Sequence, residues 1–316
     1  MNKQTKDFLD YLKNERNYSA DTINSYKYDV EKFFAFLFES SVLMDQVDLN
    51  IIRNFLTKEI ESGISKRSCK RRISSLKLFY NYMHKVGYVK DNPFYLVSTM
   101  KTDKKLPDVL YEEQVDYLFK KNEERTDFLS IRDQAIIEVL FSSGIRAKEL
   151  VNLNMQSIDL NRRELRVIGK GDKERIVLIS NECKKAVQRY TKEVRPVLLA
   201  KAKIVSPSLF LNNQGNRLTT RGLEYILKEI QNKTGIDFGL HPHMLRHSFA
   251  TYLLSKGADL VSIQKLLGHE NLNATQIYTH VSEESMKMTY LNNHPRSKKD
   301  KQKVFYTCYR ISSLIW

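Results

Sequence analysis

ELRVIGKGDKERIVLI, residues 164–179, is the stretch that decides the reading of this chain. Glu164–Ile168 and Arg175–Ile179 are short apolar, β-branched runs, and the glycine-containing GKGDKE between them supplies a turn. The pattern predicts a β-hairpin with Lys170 at its tip. Around it the apolar residues recur at helical spacing instead. Helices are expected over about 112–122 and 128–141 before the hairpin, and over 181–195, 220–233, 243–256, 259–267 and 282–291 after it. Gly257 and Asp259 read as a C-cap and an N-cap between two of these. The expected fold is therefore mainly α with a small antiparallel β-sheet.

The first hundred residues read as helices. Ile23, Tyr26, Val30, Phe33 and Leu37 form one apolar stripe, with Ser19 placed as its N-cap. Cys69, Ile73, Leu76, Tyr80 and Met83 form another. On that second helix Lys66, Arg67, Lys70, Arg71, Arg72 and Lys77 bring positive charge and no negative charge of its own. A solvated basic face is one reading. A self-repelling face without carboxylates favours phosphate as its partner, so Lys66, Arg67, Lys70, Arg71 and Arg72 are expected to bind DNA. Asp91-Asn92-Pro93 ends the helical block, and the polar stretch STMKTDKKLP up to Pro107 reads as a linker. Four segments follow: a helical DNA-binding domain at 1–97, the linker at 98–107, a second domain at 108–295, and a basic tail of unknown role at 296–316.

A net charge of +15, from 52 basic and 37 acidic residues, favours a polyanionic partner, most often nucleic acid. The excess is spread over both halves and the tail. No apolar run approaches the roughly 20 residues of a membrane helix. The polar N-terminus lacks a signal-peptide core, so a cytoplasmic, nucleoid-associated protein with no membrane partner is expected. Cys69, Cys183 and Cys308 form no CxxC pair and read as structural.

Four motifs stand apart from this background. SSGIRAKEL places Arg146 after a glycine turn at a helix start; taken alone, that residue reads equally well as an ion-pair partner of Glu149. IGKGDKERI carries Lys170, with Lys173 three residues on. HPHMLRHSFAT puts His243 and Arg246 one helical turn apart. LLGHENLNATQIYTHV contains His269 and, nine residues later, Tyr278. The spacing of His243 and His247 suits zinc, but no glutamate follows His243 and no third ligand is evident, so no metal and no cofactor is expected. His241, His247 and His280 read as satisfied polar core residues. GADLVSIQKLLGHENLNATQIY alone mimics a helix-turn-helix, which would leave Arg146, Lys170 and His243 unexplained.

Together these motifs resemble the tyrosine recombinases of the lambda-integrase family, and within it the Xer type. The resemblance covers residues 5–295, and YSADTINSYKYDVEKFFAFL and SKRSCKRRISSLKLFYNYM are similar to the family's core-binding domain. It implies a two-domain clamp around DNA, and it implies Arg146, Lys170, His243, Arg246, His269 and Tyr278 as the catalytic set, with Tyr278 the nucleophile. Arg146 and Arg246 would stabilise the phosphorane charge, since guanidinium is planar, always charged and bidentate. His243 would accept the tyrosine proton, His269 would hydrogen-bond the phosphate, and Lys170 would protonate the leaving oxygen, with Lys173 its competitor. Glu149 would hold the Arg146 loop. The implied activity is site-specific recombination through a 3′-phosphotyrosine and a Holliday junction. It serves chromosome or plasmid dimer resolution, or the integration and excision of mobile elements. The implied partners are a double-stranded DNA recombination site, a homo- or hetero-tetramer linked by residues 282–291, and an accessory regulator. Two rivals are a type IB topoisomerase and a catalytically silent DNA-binding protein.

Overall fold

The structure is a computed structural model that describes residues 3–97, 109–169 and 173–268, together with Tyr290, His294 and Arg296. The chain divides into two compact units, Met1–Lys105 and Leu106–Trp316.

The first unit is helical. Its helices are α1 (Lys3–Asn14), α2 (Ala20–Glu39), α3 (Leu49–Glu61) and α4 (Lys66–Lys85). Three of them begin at side-chain caps that satisfy orphan backbone donors. Ser19 accepts from Thr22 N, Asp48 from Ile51 N at 2.8 Å, and Ser65 from Ser68 N at 3.2 Å. The apolar stripes of α2 and α4 meet in a core of Phe8, Val30, Phe33, Phe55, Leu76, Phe79 and Phe94. Its rings pack edge to face, Phe33 on Phe55 at 5.0 Å and Phe8 on Phe79 at 5.2 Å, the arrangement their quadrupoles favour.

One feature of this unit corrects the charge reading of α4. Arg72 is 3% exposed and lies inside the bundle, not on its face. Its Nε donates to Asp29 Oδ1 at 3.1 Å, and Glu59 is its second ion-pair partner. Asp29, fully buried, also accepts from Arg71 Nη2 at 2.8 Å and from Ser75 Oγ at 2.7 Å. The carboxylates missing from α4 are thus supplied by α2 and α3. Lys66, Arg67 and Lys70 are exposed; Arg71 is exposed yet tied to Asp29.

The second unit is built around α6 (Ser130–Ser143), a helix buried on nearly all sides. Packed about it are α5 (Glu112–Glu123), α8 (Asn181–Arg189), α10 (Thr220–Thr234) and α11 (Pro242–Ser255). The short α7 (Ala147–Asn152) leads to a three-stranded antiparallel sheet, β1 (Ile158–Asp159), β2 (Glu164–Ile168) and β3 (Glu174–Leu178), in the order β1-β2-β3. Leu165 faces Val177 across β2 and β3, and both are buried, so one face of the hairpin seals onto the core. α8 continues through a π turn, Tyr190–Val194, into α9 (Arg195–Leu199). Pro196, which has no N–H to give to the preceding turn, accounts for that widening. Last comes α12 (Leu260–Leu267), which begins at the Asp259 cap read from the sequence. Cys69 and Cys183 are free and buried, as expected of structural cysteines. Among the described residues no helix is long and apolar enough to cross a membrane.

Three residues near the end of the chain pack onto this unit. Tyr290 is buried and donates from its hydroxyl to Ser142 O at 2.9 Å. His294 stacks on the Tyr290 ring at 4.7 Å, and burial brings its pKa down to about 3. Arg296 forms an ion pair with buried Glu138 and lies 4.0 Å from the Phe119 ring. Of the 282–291 segment expected to link neighbouring protomers, only Tyr290 is described, and it sits in its own chain's body.

Candidate active site

Two left-handed glycines bring the separated motifs together. Gly144 caps α6 at φ 61°, and a Cβ there would stand 2.5 Å from the Phe249 ring on α11. Gly268 caps α12 at φ 64°. Any larger residue at Gly144 would strain the backbone and force α6 and α11 apart. With glycine, the chain turns closely enough to bring Arg146 over α11.

Arg146 is the N-cap residue of α7. Glu149, three residues on, reaches back: its Oε2 accepts from Arg146 N at 2.8 Å and its Oε1 from Arg146 Nη1 at 3.0 Å. The ion pair weighed from the sequence is therefore real, but the Arg146 side chain stays 39% exposed, and its Nη2 donates to Gly268 O at 3.1 Å. Arg246 on α11 is 7% exposed. Its Nη1 donates to Gly144 O at 2.6 Å and its Nη2 to Leu267 O at 2.7 Å. Each charge-assisted bond of this kind contributes about 1.5–3 kcal/mol.

A third guanidinium, absent from the sequence reading, completes the cluster. Arg175 on β3 forks onto Glu149, Nη1 to Oε1 and Nη2 to Oε2, both at 2.8 Å. A signal for it was present: Arg175 alternates with Val177 and Ile179, so it falls on the inward face of the strand. A charge on that face requires a buried carboxylate.

Three guanidiniums and one carboxylate leave a local excess of positive charge. Burial works to raise the pKa of Glu149, but its bonds to Arg175 and Arg146 hold it below the usual carboxylate range. Burial first, and then the charges of Arg146 and Arg175, bring the Arg246 guanidinium down to about 10, with Glu149 opposing them. A site so biased favours an anion. It is suited to charge that develops on phosphate oxygens.

His243 lies on the first turn of α11, one turn before Arg246, and is exposed. His241 is the N-cap of that helix, its Nδ1 accepting from Met244 N at 3.1 Å. Both His241 and His247 are exposed, so neither is the core histidine expected. Lys170, His269 and Tyr278 lie outside the described residues. Their neighbours frame the cluster: Gly169 N donates to the carbonyl of exposed Lys173 at 2.8 Å, closing the hairpin, and Gly268 immediately precedes His269. The described parts of four motifs, up to 122 residues apart in sequence, thus meet at one place through Arg146, Arg175, Arg246 and Gly268.

Residues 108–285 match the phage integrase family, and residues 5–87 match the N-terminal SAM-like domain of phage integrases. The chain is 42% identical over 295 residues to tyrosine recombinase XerC of Bacillus licheniformis, covering 93% of this chain and 97% of that protein. To tyrosine recombinase XerC of Staphylococcus aureus it is 39% identical over 302 residues, covering 96% of this chain and 100% of the relative. Among solved structures it is similar to the XerH site-specific recombinase bound to difH substrate in a pre-cleavage complex. That match has 25% identity and a TM-score of 0.62, over 87% of this chain and 82% of the other. A Tn1549 transposon integrase in complex with a circular intermediate DNA shares the fold, with a TM-score of 0.67 and 20% identity over 90% and 97% of the two chains.

Proposed function

This chain belongs to the phage integrase family and is a tyrosine site-specific recombinase, and we propose that Tyr278 is its nucleophile, served by Arg146, Lys170, His243, Arg246 and His269. Arg146 and Arg246 meet the non-bridging oxygens of the scissile phosphate. His243 takes the proton from the Tyr278 hydroxyl, and His269 donates a hydrogen bond to the phosphate. Lys170 protonates the 5′-oxygen as its bond to phosphorus breaks. The products are a 3′-phosphotyrosine and a free 5′-hydroxyl. The phosphodiester energy stays in the covalent bond, so a 5′-hydroxyl from a second duplex reseals the strand without a nucleotide cofactor. Two such exchanges pass through a Holliday junction.

The observation that carries this reading is the convergence of Arg146 and Arg246 on the Gly144 and Leu267–Gly268 turns. Their side chains come from segments a hundred residues apart, and both are held beside the residue that leads into His269. The protein works as a tetramer on two duplexes, in the cytoplasm on the nucleoid. Chromosome dimer resolution is the role that fits its Xer relatives.

The test uses short duplexes carrying the recombination site. Sodium dodecyl sulfate-resistant adducts and joined strands from two duplexes are expected, at undiminished yield in EDTA, because side chains supply all the charge that stabilises the phosphorane. Adducts without joined products, together with relaxation of a supercoiled plasmid in a parallel reaction, would make the protein a topoisomerase. Binding with no adduct would make it a silent DNA-binding protein. Loss of activity in EDTA, restored by zinc or magnesium, would revive the metal reading.

The basic helix α4 gives a second expectation. Lys66, Arg67 and Lys70 contact phosphate, and neutralising any one lowers the log–log salt slope of DNA binding by about 0.9. Arg72→Ala acts differently, because it strands Asp29 and Glu59. It costs about 3–5 kcal/mol of stability in a denaturation curve and leaves the slope unchanged. Unchanged slopes for Lys66, Arg67 and Lys70 alike would place that face in solvent.

A further inference from the structure

We propose that Arg175 is a positioning residue of the recombination reaction: through Glu149 and Gly268 it holds Arg146 in register with the turn that carries His269. The inference rests on the reading of Arg146 as a ligand of the scissile phosphate.

Arg175 meets both groups that hold Arg146, Glu149 and the Gly268 turn. Its two terminal nitrogens occupy one lobe of each Glu149 oxygen. Those same oxygens hold the backbone N–H and the Nη1 of Arg146. The other edge of its guanidinium lies against Gly268, where a Cβ would stand 2.9 Å from Cζ and from Nε. Gly268 O in turn accepts from Arg146 Nη2. Arg146 is therefore held by three bonds, two to Glu149 and one to Gly268 O, and Arg175 stands behind both of these partners. Its own strand runs directly from the hairpin, and a Cβ at Gly169 would lie 3.5 Å from its Nη1. Arg175 is 17% exposed, and both of its terminal nitrogens are bonded to Glu149.

Geometry separates this role from simple charge. A guanidinium spans both oxygens of a carboxylate and is flat enough to lie against a glycine, whereas an ammonium is a point donor that can do neither. Lysine at position 175 thus keeps the charge and loses the fork. Glu149 then gains freedom to pivot, and Arg146 pivots with it. A misplacement on the order of 1 Å at a charge-stabilising group lowers the rate by about 10²-fold.

The experiment compares Arg175→Lys, Arg146→Ala and the unaltered protein on two duplexes. One carries an ordinary scissile phosphodiester. The other carries a methylphosphonate there, with a methyl group in place of one non-bridging oxygen and therefore no charge for Arg146 to meet. On ordinary DNA, Arg175→Lys should form the covalent adduct about 10²-fold more slowly, with DNA affinity and melting temperature close to those of the unaltered protein. On the methylphosphonate the deficit of both variants should shrink to a few-fold. An Arg175→Lys variant as fast as the unaltered protein on ordinary DNA overturns the proposal. So does equal impairment on both duplexes while Arg146→Ala recovers, since that outcome means Arg175 serves the fold alone. Failure of Arg146→Ala to recover removes the reading of Arg146 itself, and the proposal with it. If the lysine variant does not fold, Arg175→Gln gives the same two-duplex comparison.

Discussion

Tyr278→Phe binds the recombination site with unaltered affinity and forms no covalent adduct, a fall of about 10⁴-fold or more in cleavage. The substitution removes one oxygen. Phenylalanine keeps the ring and its packing, so a defect confined to the chemical step identifies the lost hydroxyl as the attacking group. A phenol with an ordinary pKa of about 10 is a weak nucleophile at neutral pH and needs both a base and a cationic surrounding. On the proposed reading the guanidinium cluster of Arg146, Arg175 and Arg246 would supply the second of these. The measurement is a denaturing gel of protein trapped on labelled DNA, beside a binding titration. Adducts at the unaltered yield would mean that another residue attacks.

Lys170→Ala loses about 10²–10⁴-fold on ordinary DNA, the span that general-acid catalysis contributes. The leaving 5′-oxygen must gain a proton as it departs or leave as a costly alkoxide. With sulfur in the bridging 5′ position the leaving group is a thiolate, which departs unprotonated. Most of the Lys170→Ala deficit should therefore vanish on the 5′-thio substrate, while that of Arg146→Ala should persist, because the charge it meets lies on the non-bridging oxygens. Lys173 is the control. It is exposed beyond the turn, and its carbonyl closes the hairpin. Recovery of Lys173→Ala instead of Lys170→Ala would move the acid three residues along the hairpin. Equal impairment of Lys170→Ala on both substrates would make Lys170 a binding residue.

Much of the fold was legible because it is governed by local rules. Ser19 and Asp259 were readable as caps from the polar side chain standing just before an apolar stripe, and both cap as expected. The hairpin was readable from its two β-branched runs, and β3 begins one residue earlier than read, at Glu174. The π turn at Tyr190–Val194 was not readable, since helical periodicity continues through it. Arg72 shows where local reading stops. Its helix carries no acid, so the side chain looked free for phosphate, yet Asp29 and Glu59 arrive from two other helices. The same limit concealed Arg175, whose partner lies 26 positions back in the chain. Arg146 and Arg246 were singled out because recognisable motifs surround them. Their convergence is a tertiary fact, carried by the carbonyls of Gly144, Leu267 and Gly268.

The central claim, that this chain cuts DNA through a tyrosine, is tested most directly by mapping the trapped linkage. A duplex nicked a few nucleotides to the 3′ side of the scissile phosphate releases the short fragment that carries the new 5′-hydroxyl, so resealing fails and the adduct accumulates. Protease and nuclease digestion followed by mass spectrometry then locates the nucleotide on the protein. The account requires one modified peptide, with the nucleotide joined to Tyr278 through its 3′-phosphate and a free 5′-hydroxyl on the released strand. A nucleotide on any other residue, or one joined through a 5′-phosphate, would contradict it.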